Sequence, residues 1–254
     1  MPTNVKENGF ESSIVSWLVQ HNGYEQGSNA DYNKEIAMDE TRLFRFLNTT
    51  QADKMKQLRL ENDPLEKEKF LQRLDQSLHT NGVIDLLRKG FRYKHLVLDM
   101  FYVRPSPGNE TAAKLYAQNI FSVTRQLQYS RQNPLLALDV CLFLNGLPIA
   151  TMELKNQLTK QNAADAVKQY KDERTPDEVL FGFKRCIVHF AVDDNEVRMC
   201  TELKGQKSWF LPFNKGYNDG AGNPPNPDGI KTDYLWKEIL RKDDFSNIIE
   251  NYVQ

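Results

Sequence analysis

The chain has little sulfur, no long uninterrupted apolar run, no excess of either charge and no nucleotide-binding loop. Its three cysteines, Cys141, Cys186 and Cys200, are an odd number with no Cys-x-x-Cys spacing. That argues against a disulfide framework or a thiolate metal site and suits reduced core thiols in a cytoplasmic protein. The polar start MPTNVKENGF is not that of a secretory signal peptide. The longest apolar stretch is broken by Asp139, so no segment is expected to span a membrane. The pattern Gly-x-x-x-x-Gly-Lys-[Ser/Thr] is missing, which removes a P-loop ATP site. Lys and Arg total 33 against 34 Asp and Glu, for a net charge of −1. Nothing global attracts a polyanion, and this weighs mildly against a stand-alone nucleic-acid-binding module.

What is present is an acid set where acids are costly. The stretch LLALDVCLFLNGLPIATMELKN holds Asp139, Glu153 and Lys155. Burying an unpaired carboxylate costs several kcal/mol or forces it to take up a proton, and a bound cation relieves that cost. Glu153 and Lys155 are two apart, so an extended strand points both to one face. Two acids and a lysine converging on a sheet edge are what a magnesium-dependent phosphodiester hydrolase needs: the acids for a hard cation, the lysine beside the attacking water and phosphate. The tripeptide itself carries little, because Glu202-Leu203-Lys204 repeats it after the polar DDNE of 193–196 and reads as a solvated strand end. The first copy differs by its strand-embedded Asp and the Asn145-Gly146 turn signal. A regular two-residue turn there would pair Asp139 with Met152 and set the two acids on opposite faces. A shared cation therefore requires a bulge or an odd loop, and Pro148, which has no ladder donor, marks a suitable place.

Hydrophobic periodicity and breakers predict a helix over 9–20 closed by Asn22-Gly23, two helices within 36–60, one opening at Pro64 and running to 78, and a short one over 83–92. HLVLDMFYVRP reads as a strand ending before Pro105, followed by a helix or loop around Leu115, and QLQYS as a short strand. The 135–155 hairpin, a helix over 162–173 and paired strands KRCIVHFAVD and EVRMCTEL come next. Residues 211–228 read as loop and TDYLWKEILRKDD as a last helix. Strands flanked by helices give an α/β class with a mixed central β-sheet.

Other residues have two readings each. Glu11 on the first helix is a solvated acid or an additional metal-side carboxylate. Gln169 and Tyr170 touch substrate phosphate or form a cap or surface pair. Arg88, Lys89, Arg92 and Lys94, set among aromatics in RKGFRYKH, contact a DNA backbone or form a solvated face. His189, in an apolar strand, reads as a satisfied core histidine.

GVIDLLRKG at 82–90, LDVCLFLNGLPIATMELKN at 138–156, LPFNKG and GAGNP within 211–224, and YLWKEIL at 234–240 together carry a resemblance. Over nearly its whole length the chain resembles the N-terminal region of the restriction (motor) subunit of type I restriction-modification enzymes, which carries a PD-(D/E)xK nuclease domain. The resemblance implies a single endonuclease domain over 1–254, with N-terminal helices over 9–80, a nuclease core over about 90–210, and a C-terminal loop and helix over 211–254 leading toward a motor. It implies Asp139, Glu153 and Lys155 as the catalytic set. Mg²⁺, or Mn²⁺, would be held by the two acids and the main-chain carbonyl of Leu154. Cleavage of double-stranded DNA would leave a 5′-phosphate, with ATP used only by a motor beyond this chain. The implied partners are methyltransferase and specificity subunits. Family members often carry Gln-x-x-x-Tyr after the Glu-x-Lys strand; here Ala166 stands four before Tyr170, and Gln169 is adjacent to it. A nuclease fold kept as a silent DNA clamp or assembly scaffold is the alternative.

Overall fold

The computed structural model describes residues 4–156 and 160–253. The helices start where short polar side chains accept a free backbone N–H. Asp39 caps α2 (Glu40–Thr50) through Arg42 N at 2.9 Å, and Asp63 caps α4 (Pro64–Asn81), whose Pro64 suits a first-turn position. Asn162 and Asp165 form a capping box on α7 (Ala163–Glu173). The other helices are α1 (Asn4–Gln20), α3 (Ala52–Leu58), α5 (Val83–Lys89), α6 (Glu110–Tyr116) and α8 (Lys242–Asn251). Among the described residues no helix is long and apolar enough to cross a membrane.

Seven strands form one mixed sheet in the order β1 (Glu25–Gln26), β6 (Phe121–Gln128), β7 (Ala137–Leu144), β8 (Leu147–Leu154), β9 (Val188–Val192), β10 (Val197–Cys200) and β11 (Leu211–Pro212). β6, β7 and β8 make an antiparallel meander, and α7 then carries the chain across to β9, parallel to β8. This is the mixed sheet flanked by helices that the sequence predicts, and it is compatible with a restriction-endonuclease-like fold. Two further hairpins, β2 (Tyr32–Asn33) with β3 (Met38–Asp39) and β4 (Phe91–Tyr93) with β5 (Leu96–Leu98), stand apart from it. β7 alternates as a strand buried on both faces must. Val140, Leu142 and Leu144 join a core with Ile14, Phe46 and Leu74, while Cys141 and Phe143 join another with Ala166, Tyr170 and Phe181.

The hairpin between β7 and β8 satisfies the register requirement. Asn145 (φ 51°) and Gly146 (φ 83°) make a two-residue turn that pairs Leu144 with Leu147 and Phe143 with Pro148. The register then shifts, Leu142 pairing with Ala150 and Val140 with Met152, so Ile149 is the extra residue of a bulge. Continued one residue, the ladder sets Asp139 opposite Glu153.

The structure departs from the expected elements at several places. HLVLDMFYVRP is no single strand; only Leu96–Leu98 of it is in a ladder, as β5, paired with β4 across a reversal at Lys94 (φ 53°), and the chain leaves strand geometry after Leu98. β6 begins well before QLQYS, and β1 was not anticipated. The last helix is broken: a π-helical turn over Leu235–Ile239 ends where Asn22 Nδ2 donates to the carbonyls of Trp236 (2.6 Å) and Leu240 (3.4 Å), and α8 follows. The 211–228 loop spares two residues to pair with β10.

Gly146 is sterically required. A Cβ there would stand 2.4 Å from Asp39 O and 2.7 Å from Leu43 Cβ, at a φ that L side chains resist. Gly146→Ala should destabilise the fold by about 3 kcal/mol in urea titration. An unchanged midpoint would show that the hairpin tip does not dock on α2 as described.

Candidate active site at the Asp139–Glu153 strand row

Three neighbouring strands place side chains side by side. The pairs Arg125 with Val140 and Leu127 with Leu138 put Gln126 opposite Asp139, which in turn faces Glu153, itself paired with Ala191 of β9. Asp139 is half-buried; its Oδ2 accepts Leu154 N at 2.7 Å and its Oδ1 accepts Gln126 Nε2 at 3.2 Å. The same Gln126 amide donates to Glu11 Oε2 at 2.9 Å, and Arg125 Nε donates to Glu11 Oε1 at 2.7 Å. Gln126 sits at φ 46°, in the left-handed region that non-glycine residues occupy at an energetic cost, often at functional sites. Glu11 is not a solvated acid: it is 3% exposed and tied to the site through Gln126. Lys155 follows β8, its N–H bonded to Val192 O at 2.9 Å and its side chain half-buried.

Glu153 is fully buried. Its Oε1 accepts Arg174 Nε at 2.5 Å, whereas Oε2 has no hydrogen-bond partner among the described residues. Burial, and then the neighbouring charge of Asp139, push its pKa up to about 8, against the pull of Arg174 and Lys155. Arg174, just past the end of α7, also donates from Nη1 to Tyr129 OH (2.8 Å) and from Nη2 to Ala137 O (2.9 Å). Burial opposes its charge, yet Glu153 and Tyr129 hold its pKa above the ordinary guanidinium value. Sequence reasoning missed Arg174, because the polar run KDER at a helix end reads as solvated surface.

Behind this row, Thr151 Oγ1 bonds the Tyr170 hydroxyl at 2.8 Å and His189 Nδ1 at 2.7 Å. His189 is a core histidine, and burial pushes its pKa down to about 3. Tyr170 is fully buried, so it is neither a cap nor a surface residue. Gln169 is half-buried, with Nε2 3.4 Å from Glu173 and a buried, unpartnered Oε1. The basic run gathers around the β4–β5 hairpin instead of beside the acids. Arg88 donates to the carbonyls of Ile249 and Val253 at the end of α8, Lys89 pairs with Asp85, Lys94 pairs with Glu66, and Arg92 is exposed. The repeat of the tripeptide is the solvated copy expected, Lys204 pairing with Glu202 at 2.6 Å beyond the end of β10. A cleft of about 990 Å³ between α2 and α3, lined by Phe44, Met55, Arg59 and Lys67, contains none of the acid row.

The donor set suits a hard cation in one respect and limits it in another. Two carboxylates face each other, one with an orphaned buried oxygen that a cation would satisfy. Among the described residues, however, no group of three or more His, Cys, Asp or Glu side chains could hold a metal. An ion at the pair would complete its shell with main-chain oxygen, water or substrate. In an extended strand the N–H and C=O of one residue point to the same edge, so the Leu154 N–H that reaches Asp139 puts the Leu154 carbonyl on that side.

Among curated proteins none matches the chain. The family described as Type I restriction enzyme R protein N terminus matches residues 4–208, a span that takes in α1, the β6–β10 part of the sheet and every acid of the row. The chain belongs to the family of type I restriction enzyme R protein N-terminal regions.

Proposed function

We propose that this chain is the endonuclease region of a type I restriction enzyme R subunit and hydrolyses phosphodiester bonds of double-stranded DNA with Mg²⁺, or Mn²⁺ in its place. The observation that carries the reading is the bulge at Ile149. Without it Asp139 and Glu153 would lie on opposite faces; with it they face each other across one ladder step. Asp139, Glu153 Oε2 and the Leu154 carbonyl would hold the ion. When bound, it supplies a Lewis acid for the phosphate and lowers the pKa of the attacking water. Asp139 is fixed from two sides by Leu154 N and Gln126, so little rearrangement is needed to present its oxygens. Lys155, two residues beyond Glu153, positions water and offsets charge developing on the phosphate. Glu11, linked through Gln126, adds negative charge beside the pair and serves as an auxiliary carboxylate. Exposed Arg92, with Lys89 and Lys94, is available to a DNA backbone.

With a net charge of −1, the chain neutralises few phosphates and should hold DNA weakly, and more so at higher salt. Delivery of DNA falls to the rest of the enzyme: an ATP-driven motor with methyltransferase and specificity subunits. The test is plasmid cleavage. The 254-residue chain alone with Mg²⁺ at physiological salt should cut little or not at all. The assembled enzyme with ATP should cut, and Glu153→Gln should stop it. Cutting by the Glu153→Gln assembly at the normal rate would end the proposal. Robust cutting by the chain alone would leave the active site standing and remove the need for partners.

A further inference from the structure

We propose that Arg174 is a positioning residue for Glu153: its guanidinium occupies Oε1 and leaves Oε2 as a single-oxygen metal ligand. The inference rests on the metal-dependent reading above and concerns which atom of Glu153 is offered and what fixes it. A charge partner alone would be expected to grip a carboxylate with two parallel hydrogen bonds, the geometry that a guanidinium matches best. Arg174 does not. Only its Nε reaches Glu153, at 2.5 Å, while Nη1 is turned to Tyr129 OH at 2.8 Å and Nη2 to Ala137 O at 2.9 Å. Each nitrogen of the fork is thus assigned to a different element. The Tyr129 ring adds a contact of 5.2 Å to the guanidinium carbon, and exposed Glu173 lies 3.7 Å from Nη1. These contacts fix the plane of the guanidinium and, through Nε, the rotation of the Glu153 carboxylate. Ala137 lies two residues before Asp139 on the same strand, so the side chain that aims Glu153 is braced against the strand that carries the other acid. Both partners are buried, with 2% and 0% of their side chains exposed, so water does not substitute for any of these bonds.

Outer partners that orient a metal ligand change affinity about 10–100-fold when removed. The probe is Mn²⁺, titrated calorimetrically into the chain, with electron paramagnetic resonance of the bound ion as a second readout. Arg174→Lys keeps the charge but offers no planar fork, so Mn²⁺ affinity should fall about tenfold and the spectrum of the bound ion should change. Tyr129→Phe keeps the arginine and removes one brace, with an expected fall of about threefold. A folded Arg174→Lys chain that binds Mn²⁺ as tightly as the wild type, whatever its melting temperature, overturns the positioning role. If Arg174→Lys does not fold, Tyr129→Phe decides: weaker binding supports the role and unchanged binding overturns it. A wild-type chain that binds no Mn²⁺, or a Glu153→Gln chain that binds it normally, would instead remove the metal reading and with it the role of Arg174.

Discussion

Lys155→Ala should lower DNA cleavage by the assembled enzyme by about 10³-fold or more while leaving Mn²⁺ affinity within about twofold. The two readouts separate because an ammonium has no lone pair with which to ligate a cation, whereas it can act on the attacking water and the phosphate. Lys155 stands two residues beyond Glu153, its backbone held to Val192, so an alanine there leaves the strand and the acid pair in place. Asp139→Asn and Glu153→Gln should behave differently and lose both binding and cleavage. The amide variants are the informative ones, because Asp139→Ala would also strand the Leu154 N–H that now donates to its carboxylate. Cleavage within a few-fold of normal in Lys155→Ala would remove lysine from the chemistry. Loss of Mn²⁺ binding in that variant would mean that the side chain shapes the metal site, contrary to the assignment.

Much of the site's scaffold is local and so can be read from the chain. Caps such as Asp39, Asp63 and Asn162 announce their helices because the interaction lies within four residues. The bulge follows from requiring two acids to share a face across a two-residue turn. Glu11 carried a signal that went unused. It lies three, four and seven residues before Ile14, Val15 and Leu18, all buried, and so on the apolar stripe of α1, where a solvated acid does not belong.

What was illegible depends on distant partners. Arg174 reads as surface because the residues that desolvate it, Tyr129, Ala137 and Glu153, come from three other places in the chain. Arg88 reads as part of a basic patch, yet it caps a helix about 160 residues later in sequence. The run HLVLDMFYVRP looks like one strand because it is mostly apolar and rich in residues that favour strands. Its burial comes from packing against helices, Leu98, Met100 and Phe101 joining the core with Phe46 and Phe70 and the Tyr102 ring lying 5.8 Å from Phe46 of α2, and not from a place in the main sheet. Burial alone does not distinguish these environments, and composition reports little else.

In the absence of divalent metal, stability should be flat between about pH 4.5 and 6.5 and fall on both sides, with the alkaline limb removed by Mg²⁺. Glu153 has its pKa pushed up to about 8 from an ordinary 4.5, by burial first and Asp139 second. Its stabilising effect is complete below the unfolded value and is lost as pH rises through the folded one, because the folded chain must then carry a buried charge or keep a proton that the unfolded chain has released. His189 has the opposite sign: burial pushes it down to about 3 from 6.5, so its effect is complete above 6.5 and is lost as pH falls. Each group contributes about 1.4 kcal/mol per pH unit within its own window. The windows overlap from 4.5 to 6.5, where the slopes cancel. From pH 6.5 to 8 the Glu153 slope stands alone and should amount to about 2 kcal/mol, read as a falling urea midpoint in EDTA. Glu153→Gln should flatten that limb and, with nothing left to cancel the His189 slope, extend the acid limb up to about pH 6.5, while His189→Gln should remove the acid limb and let the alkaline one start at about pH 4.5. Saturating Mg²⁺ should flatten the alkaline limb in the wild type, because the cation takes the place of the proton. A level midpoint from pH 6.5 to 8 in EDTA would show that Arg174 already holds Glu153 ionised without metal.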